Sequence, residues 1–468
     1  MIGVQLRHEW RGLVRSRLLP LLMLSVVLTG IYAMHYGRQK IGAQHQTIRE
    51  IEASYESQLK GYVATLESDT STAEKKYAYE EVNQPAYAIW RQTHPVFSKP
   101  GPLASLSLGQ RDLNPYYNSL SAQSLYIQLF KNELSNPYKL LAGNLDLAFV
   151  FVYLFPLLII ALGYNSLSVE KEQGTYSLLR VQSGEMHRVL LAKFLFHFFI
   201  ITGLVVVLLG TAIIGTGIEP LRYVGDLSAW SFTVLGYCFF WLAVVWLVVT
   251  FHHSSATNAT TLFSIWLLLL IVVPSLLTIV FSRTHPIAKN HLTNLIRRTG
   301  LEETDEAMDK VLAQYYTLHP EYKPKDGVTT QKLYKAYAAY TEMADQEKKK
   351  MVDAYQVQIR RRNELVAWFN VLNPAVHTQG LLNAIARTEL IDYLRYQEAI
   401  PVFHANLSAF YRARLFRNQS LSKQDYAQLP RFTMPEPSPV GRRSLLLVPG
   451  LGLLMGLWGF VRFKRLPG

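Results

Sequence analysis

The chain is predicted to be a mainly α-helical polytopic membrane protein with six transmembrane helices and two largely helical extracytoplasmic insertions. Three observations predict it. Six apolar runs are each long enough to cross about 30 Å of hydrocarbon as a helix. They fall asymmetrically, one near the start, four between Leu147 and Val280, and one at the C-terminal end. None shows the period-two alternation of a membrane barrel strand. The mean hydropathy of +0.09 averages these runs with charged insertions and does not argue for a soluble protein.

Residues 1–17 precede the first span. Ile2, Leu6, Trp10 and Leu13 share one helical face there, and Arg7, Arg11 and Arg15 stack on the opposite one. That is the pattern of an interfacial amphipathic helix, with Arg7, Trp10, Arg11 and Arg15 at the membrane surface. The first span, 18–36, exceeds the apolar run of a signal peptide, and no small-x-small site follows Ala33, so it reads as a retained anchor. Residues 37–146 form the first insertion, helical over 48–63, with a Pro- and aromatic-rich loop over 83–102.

Spans two to five occupy 147–281, at 147–164, 189–214, 228–251 and 260–281. Pro274-Ser275 interrupts the fifth, either as a simple kink or as the break of a re-entrant helix pair. The second insertion, 282–443, carries a helical stripe over 331–370 that ends near Asn373-Pro374. At about 110 and about 160 residues, each insertion is long enough for a core of its own. Lys348-Lys349-Lys350 and Arg360-Arg361-Arg362 are interleaved with acids and read as a solvated face. The sixth span is 444–461, followed by a tail at 462–468.

Arg7, Arg11, Arg15 and Arg17 before the first span, and Arg462, Lys464 and Arg465 after the last, lead us to expect both termini in the cytoplasm. The loop 165–188 is then inside and the insertions outside. The net charge of +13 suits anionic membrane lipid; there is no nucleic-acid-binding motif, and nucleic acid is not expected as a partner. The single Cys238 excludes an intrachain disulfide. With no H-E-x-x-H or G-x-S-x-G pattern, no catalytic or metal-ligating residue is assigned, and His252-His253 reads as an interfacial polar pair.

The most specific local signal follows the second span, in Glu170-Lys171-Glu172-Gln173-Gly174-Thr175 and then Leu178-Leu179. Gly174 suits the left-handed residue that ends a helix, and Thr175 suits the cap of a short next one. Ser183 can cap the helix of the third span, with Glu185 in its first turn. The expected product is a short, rigid, charged knob.

This run resembles the membrane subunits (permeases) of type-2 ABC transporters. Their second span is typically followed by Glu-Lys/Arg-Glu-x-Gly-Thr, a Leu-Leu pair and a Gly-Lys that opens the third span. Here Ala192-Lys193 stands at the last position, with Ala for Gly, and the Pro that often follows the Leu-Leu pair is missing. The insertions after spans one and five, and a region like Leu372-Asn373-Pro374-Ala375 before the last span, narrow the likeness to a bacterial subgroup.

The resemblance implies that the loop is a coupling helix docking on a cytoplasmic ABC ATPase. Glu170, Lys171, Glu172, Gln173, Gly174, Thr175, Leu178 and Leu179 are its coupling residues. The chain has no phosphate-cradling G-x-x-x-x-G-K-[ST] loop, so it is not expected to be an enzyme or to bind a cofactor; ATP and Mg belong to the partner. Two permeases, identical or homologous, would work with two ATPase subunits as an exporter. Two alternatives stay open. One is an ATPase-linked envelope scaffold whose insertions meet a periplasmic partner. The other is an ion-coupled transporter, which the lack of ionisable residues at the span centres disfavours.

Overall fold

In the computed structural model, residues 2–131, 145–183, 186–251, 253–284, 296, 304–324, 329–436 and 441–465 are described. Among them, six helices are long and apolar enough to cross a membrane, and the protein is a mainly α-helical polytopic membrane protein. Helix α1 (Ile2–Arg15) ends at a Ser16-Arg17 break, where the Ser16 hydroxyl accepts from Leu19 N at 3.4 Å. Helix α2 (Leu18–Leu66) then runs for 49 residues, about 74 Å at the α-helical rise. No proline interrupts the chain from Leu21 to Gln84, and pairs such as Gln46 with Glu50 (2.8 Å) brace the rod beyond Tyr36. The first span is therefore the root of a helix that continues well past any bilayer.

The expected loop over 83–102 contains regular structure. After α3 (Ala73–Asn83), Pro85 opens a short helix, α4 (Pro85–Arg91), at the one position where its missing N–H costs nothing. Strands β1 (His94–Phe97) and β2 (Tyr117–Leu120) pair antiparallel, with His94 opposite Leu120. A short helix, α5 (Leu125–Lys131), follows. The second span, α6 (147–163), is capped by Asp146, and helices α7 (Ser168–Glu172) and α8 (Tyr176–Ser183) follow it. Spans three to five are α9 (Met186–Thr216), α10 (Val224–Val249) and α11 (Ser255–Thr284).

The second insertion supplies α12 (Asp305–Leu318), α13 (Lys332–Val371), α14 (Pro374–Ala386), α15 (Leu390–Phe416) and α16 (Lys423–Ala427), and the last span is α17 (Arg442–Arg465). The two insertions do not form separate cores. Leu59, Val96 and Tyr126 of the first share one cluster with Tyr315, Tyr396 and Tyr411 of the second. Together they make a headpiece at one end of the spans. Each insertion alone would leave half of that aromatic surface in water. Lys348, expected on a solvated face, is buried near Asp345, whose carboxylate accepts from Ser124 Oγ (2.6 Å) and Leu125 N (2.7 Å) at the start of α5.

Within the membrane region α10 is central: 72% of its most apolar stretch is buried, against 6% for α11. Trp230, Tyr237 and Trp241 fill the space around it. Helix α17 lies against α10 through glycines; a Cβ on Gly452 would stand 3.0 Å from the Cα of Phe240, so only a bare backbone permits this approach.

Pro156 and Pro274 cannot return an N–H to the carbonyl one turn upstream. In both helices a π turn precedes the proline, at Val150–Leu154 and Leu268–Val272, and the helix carries on. Side chains of other elements reach carbonyls of both π turns: the Tyr237 hydroxyl donates to Val152 O (3.0 Å) and the Asn373 amide to Leu269 O (2.6 Å). Pro274 therefore does not break α11. The turn between α13 and α14, at Asn373-Pro374, instead reaches Leu269, midway along α11. Asn373 also caps α14, accepting from Ala375 N (3.0 Å) and Val376 N (3.3 Å). Ala375, Leu382 and Ile385 join the core of the spans, so the second insertion is not wholly external to them.

A hydrogen-bond chain crosses the headpiece. Tyr411 donates to Gln92 Oε1 (3.1 Å) and so accepts from His94 Nε2 (3.2 Å), which leaves His94 Nδ1 to accept from Tyr55 (2.7 Å). Gln92 in turn donates to the Tyr426 hydroxyl (2.6 Å), and that hydroxyl to Val82 O (2.8 Å).

Replacing Asn373 by Ala removes a cap and orphans the Leu269 carbonyl, and should destabilise the protein by about 2–4 kcal/mol. Asn373→Asp keeps the cap acceptors but turns a buried carboxylate oxygen onto the Leu269 carbonyl, so it should cost at least as much; thermal unfolding in detergent reads both. Burial pushes the imidazoles of His94 and His404 from 6.5 down to about 4. The folded state thus favours their neutral forms, and this stabilisation is full above pH 6.5 and lost as pH falls towards 4. The fall in melting temperature across that window should be shallower for His94→Gln and His404→Gln than for the parent protein.

Candidate functional site

At the end of the spans away from the headpiece, the chain leaves α6 through a four-residue turn, forms α7, and reverses at Gly174 before α8. Gly174 has φ +73°, and nothing lies within 4 Å of where a Cβ would stand. The left-handed backbone, rather than crowding, is what calls for glycine here.

The knob is built around Lys193, on the first turns of α9 and 5% exposed. Its ammonium is 2.8 Å from Glu170 Oε1, 3.5 Å from Glu9 Oε1 on α1, and 3.0 Å from the carbonyl of Ser166. One cation thereby ties α7, α1 and the preceding turn to α9. The Thr175 hydroxyl donates to the other Glu170 oxygen (2.6 Å) instead of capping α8. Glu172 accepts from the backbone N–H (2.7 Å) and hydroxyl (2.9 Å) of Ser255, placing a carboxylate at the N-terminus of α11 where the helix dipole favours it. Ser168 meets the Ser255 hydroxyl at 2.8 Å, and Asn258 donates to Tyr164 O at 3.2 Å. The knob is thus braced on α1, α9 and α11 at once.

The residues singled out in the sequence divide into two groups. Glu170 and Thr175 point into the Lys193 network, Glu172 is committed to Ser255, and Leu179 packs against the span core. Lys171 lies 5.2 Å from the ring centre of Tyr176. Gln173, Gly174 and Leu178 are exposed. Beside Leu178 (58% exposed) stands Val181 (83% exposed), a residue the motif passes over although its i+3 spacing puts it on the same face. Glu9 was equally unmarked, and its one signal is that it is the lone acid in α1. Ser183 is the last residue of α8, and Glu185 lies outside the described residues.

On α1, Arg7, Trp10, Arg11 and Arg15 are exposed, as a surface-lying helix requires. Leu13 is buried and Leu6 packs on the span core, so the apolar face divides. Part of it holds α9, and Trp10 with Val14 faces outward.

Fold and site together define a multi-pass α-helical membrane protein with a braced polar knob at one end of its spans and a helical headpiece at the other. Residues 291–434, a range that includes α12 to α16, match a family described as a domain of unknown function (DUF3526). No curated protein matches the chain.

Replacing Lys193 by Met leaves Glu170 half-buried and uncompensated, which should cost about 3–5 kcal/mol in thermal unfolding. Adding Glu170→Gln should recover part of that loss, since removing the second charge relieves the first change.

Proposed function

We propose that this chain is the permease subunit of an ATP-driven ABC exporter in a bacterial inner membrane, with both termini and the knob in the cytoplasm. The observation that carries the proposal is the union of a fixed base and an exposed apolar face in one short segment. Leu178 and Val181 project from α8, while the Lys193–Glu170 and Glu172–Ser255 contacts hold the adjoining α7 to α9 and α11, and Lys193–Glu9 adds α1. A partner pressing on α8 would move α1, α9 and α11 together rather than bend a loop. Such a lever suits ATPase subunits that close on ATP and Mg and push the spans of paired permeases apart.

A second reading is favoured by α2, whose unbroken 49 residues join the span region to the headpiece. A rod of that kind also suits a mechanical device that passes ATP-driven motion to an envelope partner without transport. Both readings require the same ATPase contact.

Pull-down of the tagged chain from detergent-solubilised membranes, probed for a bound ABC ATPase, tests that contact. Leu178→Asp with Val181→Asp should abolish recovery of the ATPase while leaving the permease's own melting temperature within a few degrees of the parent. Unchanged recovery would refute the docking assignment. Glu170→Lys is the wrong probe, because it would disrupt the base of the knob before it altered the docking face.

A further inference from the structure

A cleft of about 1140 Å³ lies between the headpiece and the ends of α9 and α10, beyond the roughly 300–1,000 Å³ of ordinary small-molecule pockets. One wall is the stretch of α2 from Arg38 to Glu56, and another is the turn from Thr216 to Tyr223 that joins α9 to α10. Arg38 stands two residues past the end of the first apolar run, at the level of lipid headgroups on the headpiece side. Ile41, Phe97, Phe403 and Phe432 give the cleft an apolar floor.

Most of its charges are already matched. Lys99 pairs with Glu52 at 2.7 Å, Arg431 with Glu56 at 3.2 Å, and Arg395 with Asp392 at 3.2 Å. Arg38 and Arg387 are exposed and form no ion pair among the described residues. Asp392, which feels the charge of Arg387, is held by Arg395. Of the acids on the rim, Glu219 faces Arg222 at 3.8 Å, leaving Glu436 against two uncommitted guanidinium groups. Arg387 is also the residue that ends α14, with φ +59°. Glycine is the usual occupant of that conformation, and an arginine kept there holds a long cationic side chain at the cleft against local backbone preference.

We propose that this cleft binds an amphiphile whose acidic headgroup, a phosphate or carboxylate, is taken by Arg38 and Arg387 while its apolar tail lies on the Ile41, Phe97, Phe403 and Phe432 floor. Guanidinium groups suit such oxyanions through paired N–H donors. The apolar floor at headgroup level distinguishes the site from one for a bare soluble anion. The inference goes beyond the permease reading and holds with or without an ATPase.

The test uses the purified full chain in detergent, titrated with dioctanoyl phosphatidylglycerol, dioctanoyl phosphatidylcholine and inorganic phosphate, with native mass spectrometry and thermal shift as readouts. Phosphatidylglycerol should bind at least about tenfold more tightly than the other two. Arg38→Gln with Arg387→Gly should remove that preference, and the glycine relieves the positive φ, so the fold is kept. Gly42 lines the cleft with nothing within 4 Å of an added Cβ, so Gly42→Leu should block lipid without touching a charge, and it decides the matter alone if the arginine variant fails to fold. Equal binding of phosphatidylcholine would overturn headgroup recognition. Equal binding of inorganic phosphate would overturn the amphiphile, and unchanged binding in both variants would overturn the site.

Discussion

A single buried ammonium organises the knob end of this protein. Lys193 sits where water is largely excluded, and a charge there is tolerable only if oppositely charged and hydrogen-bonding groups surround it. Glu170, Glu9 and the Ser166 carbonyl meet that demand from three separate segments. The need to compensate one cation therefore fixes the approach of α1 to α9, the path of the chain after α6, and the orientation of Glu170. Thr175 and Gly174 follow from it: the first completes the carboxylate's hydrogen bonds, and the second turns the chain so that α8 stands clear.

The same rule, that polar groups out of water must find partners, shapes the middle of the spans. In both proline-bearing spans a carbonyl of the π turn accepts from a side chain of another element. The Asn373 contact has the larger consequence, because it carries the turn between α13 and α14 down to Leu269. The headpiece is thereby joined to the spans through this turn as well as through the rod of α2 and the Leu103 and Leu106 contacts of the first insertion.

Much of the architecture was legible in the residues. The positions of the spans follow from length and composition, and the reversal at Gly174 follows from a glycine after a charged helical turn. The polar face of α1 was visible in Arg7, Arg11 and Arg15, which are exposed along the helix. The candidate site was legible as a segment, but the roles within it were not. Glu170 and Glu172 look like two exposed charges of one motif, and only their partners, Lys193 and Ser255, some 20 and 80 positions away, give them structural duties. Val181 escaped notice because an exposed valine has no signature until the helix presenting it is placed.

By itself, then, the sequence determined that the chain is helical, which segments are long and apolar enough to cross a membrane, and where its charged knob falls. These are local properties, because about 20 consecutive apolar residues satisfy a bilayer whatever lies elsewhere in the chain. Only the tertiary structure decided that the two insertions share one core, that α14 packs among the spans, and that α11 continues through Pro274 while the Asn373-Pro374 turn reaches Leu269. Each of those outcomes depends on which distant side chain reaches a backbone carbonyl or an unfilled apolar face. Composition and spacing along the chain carry no record of that choice.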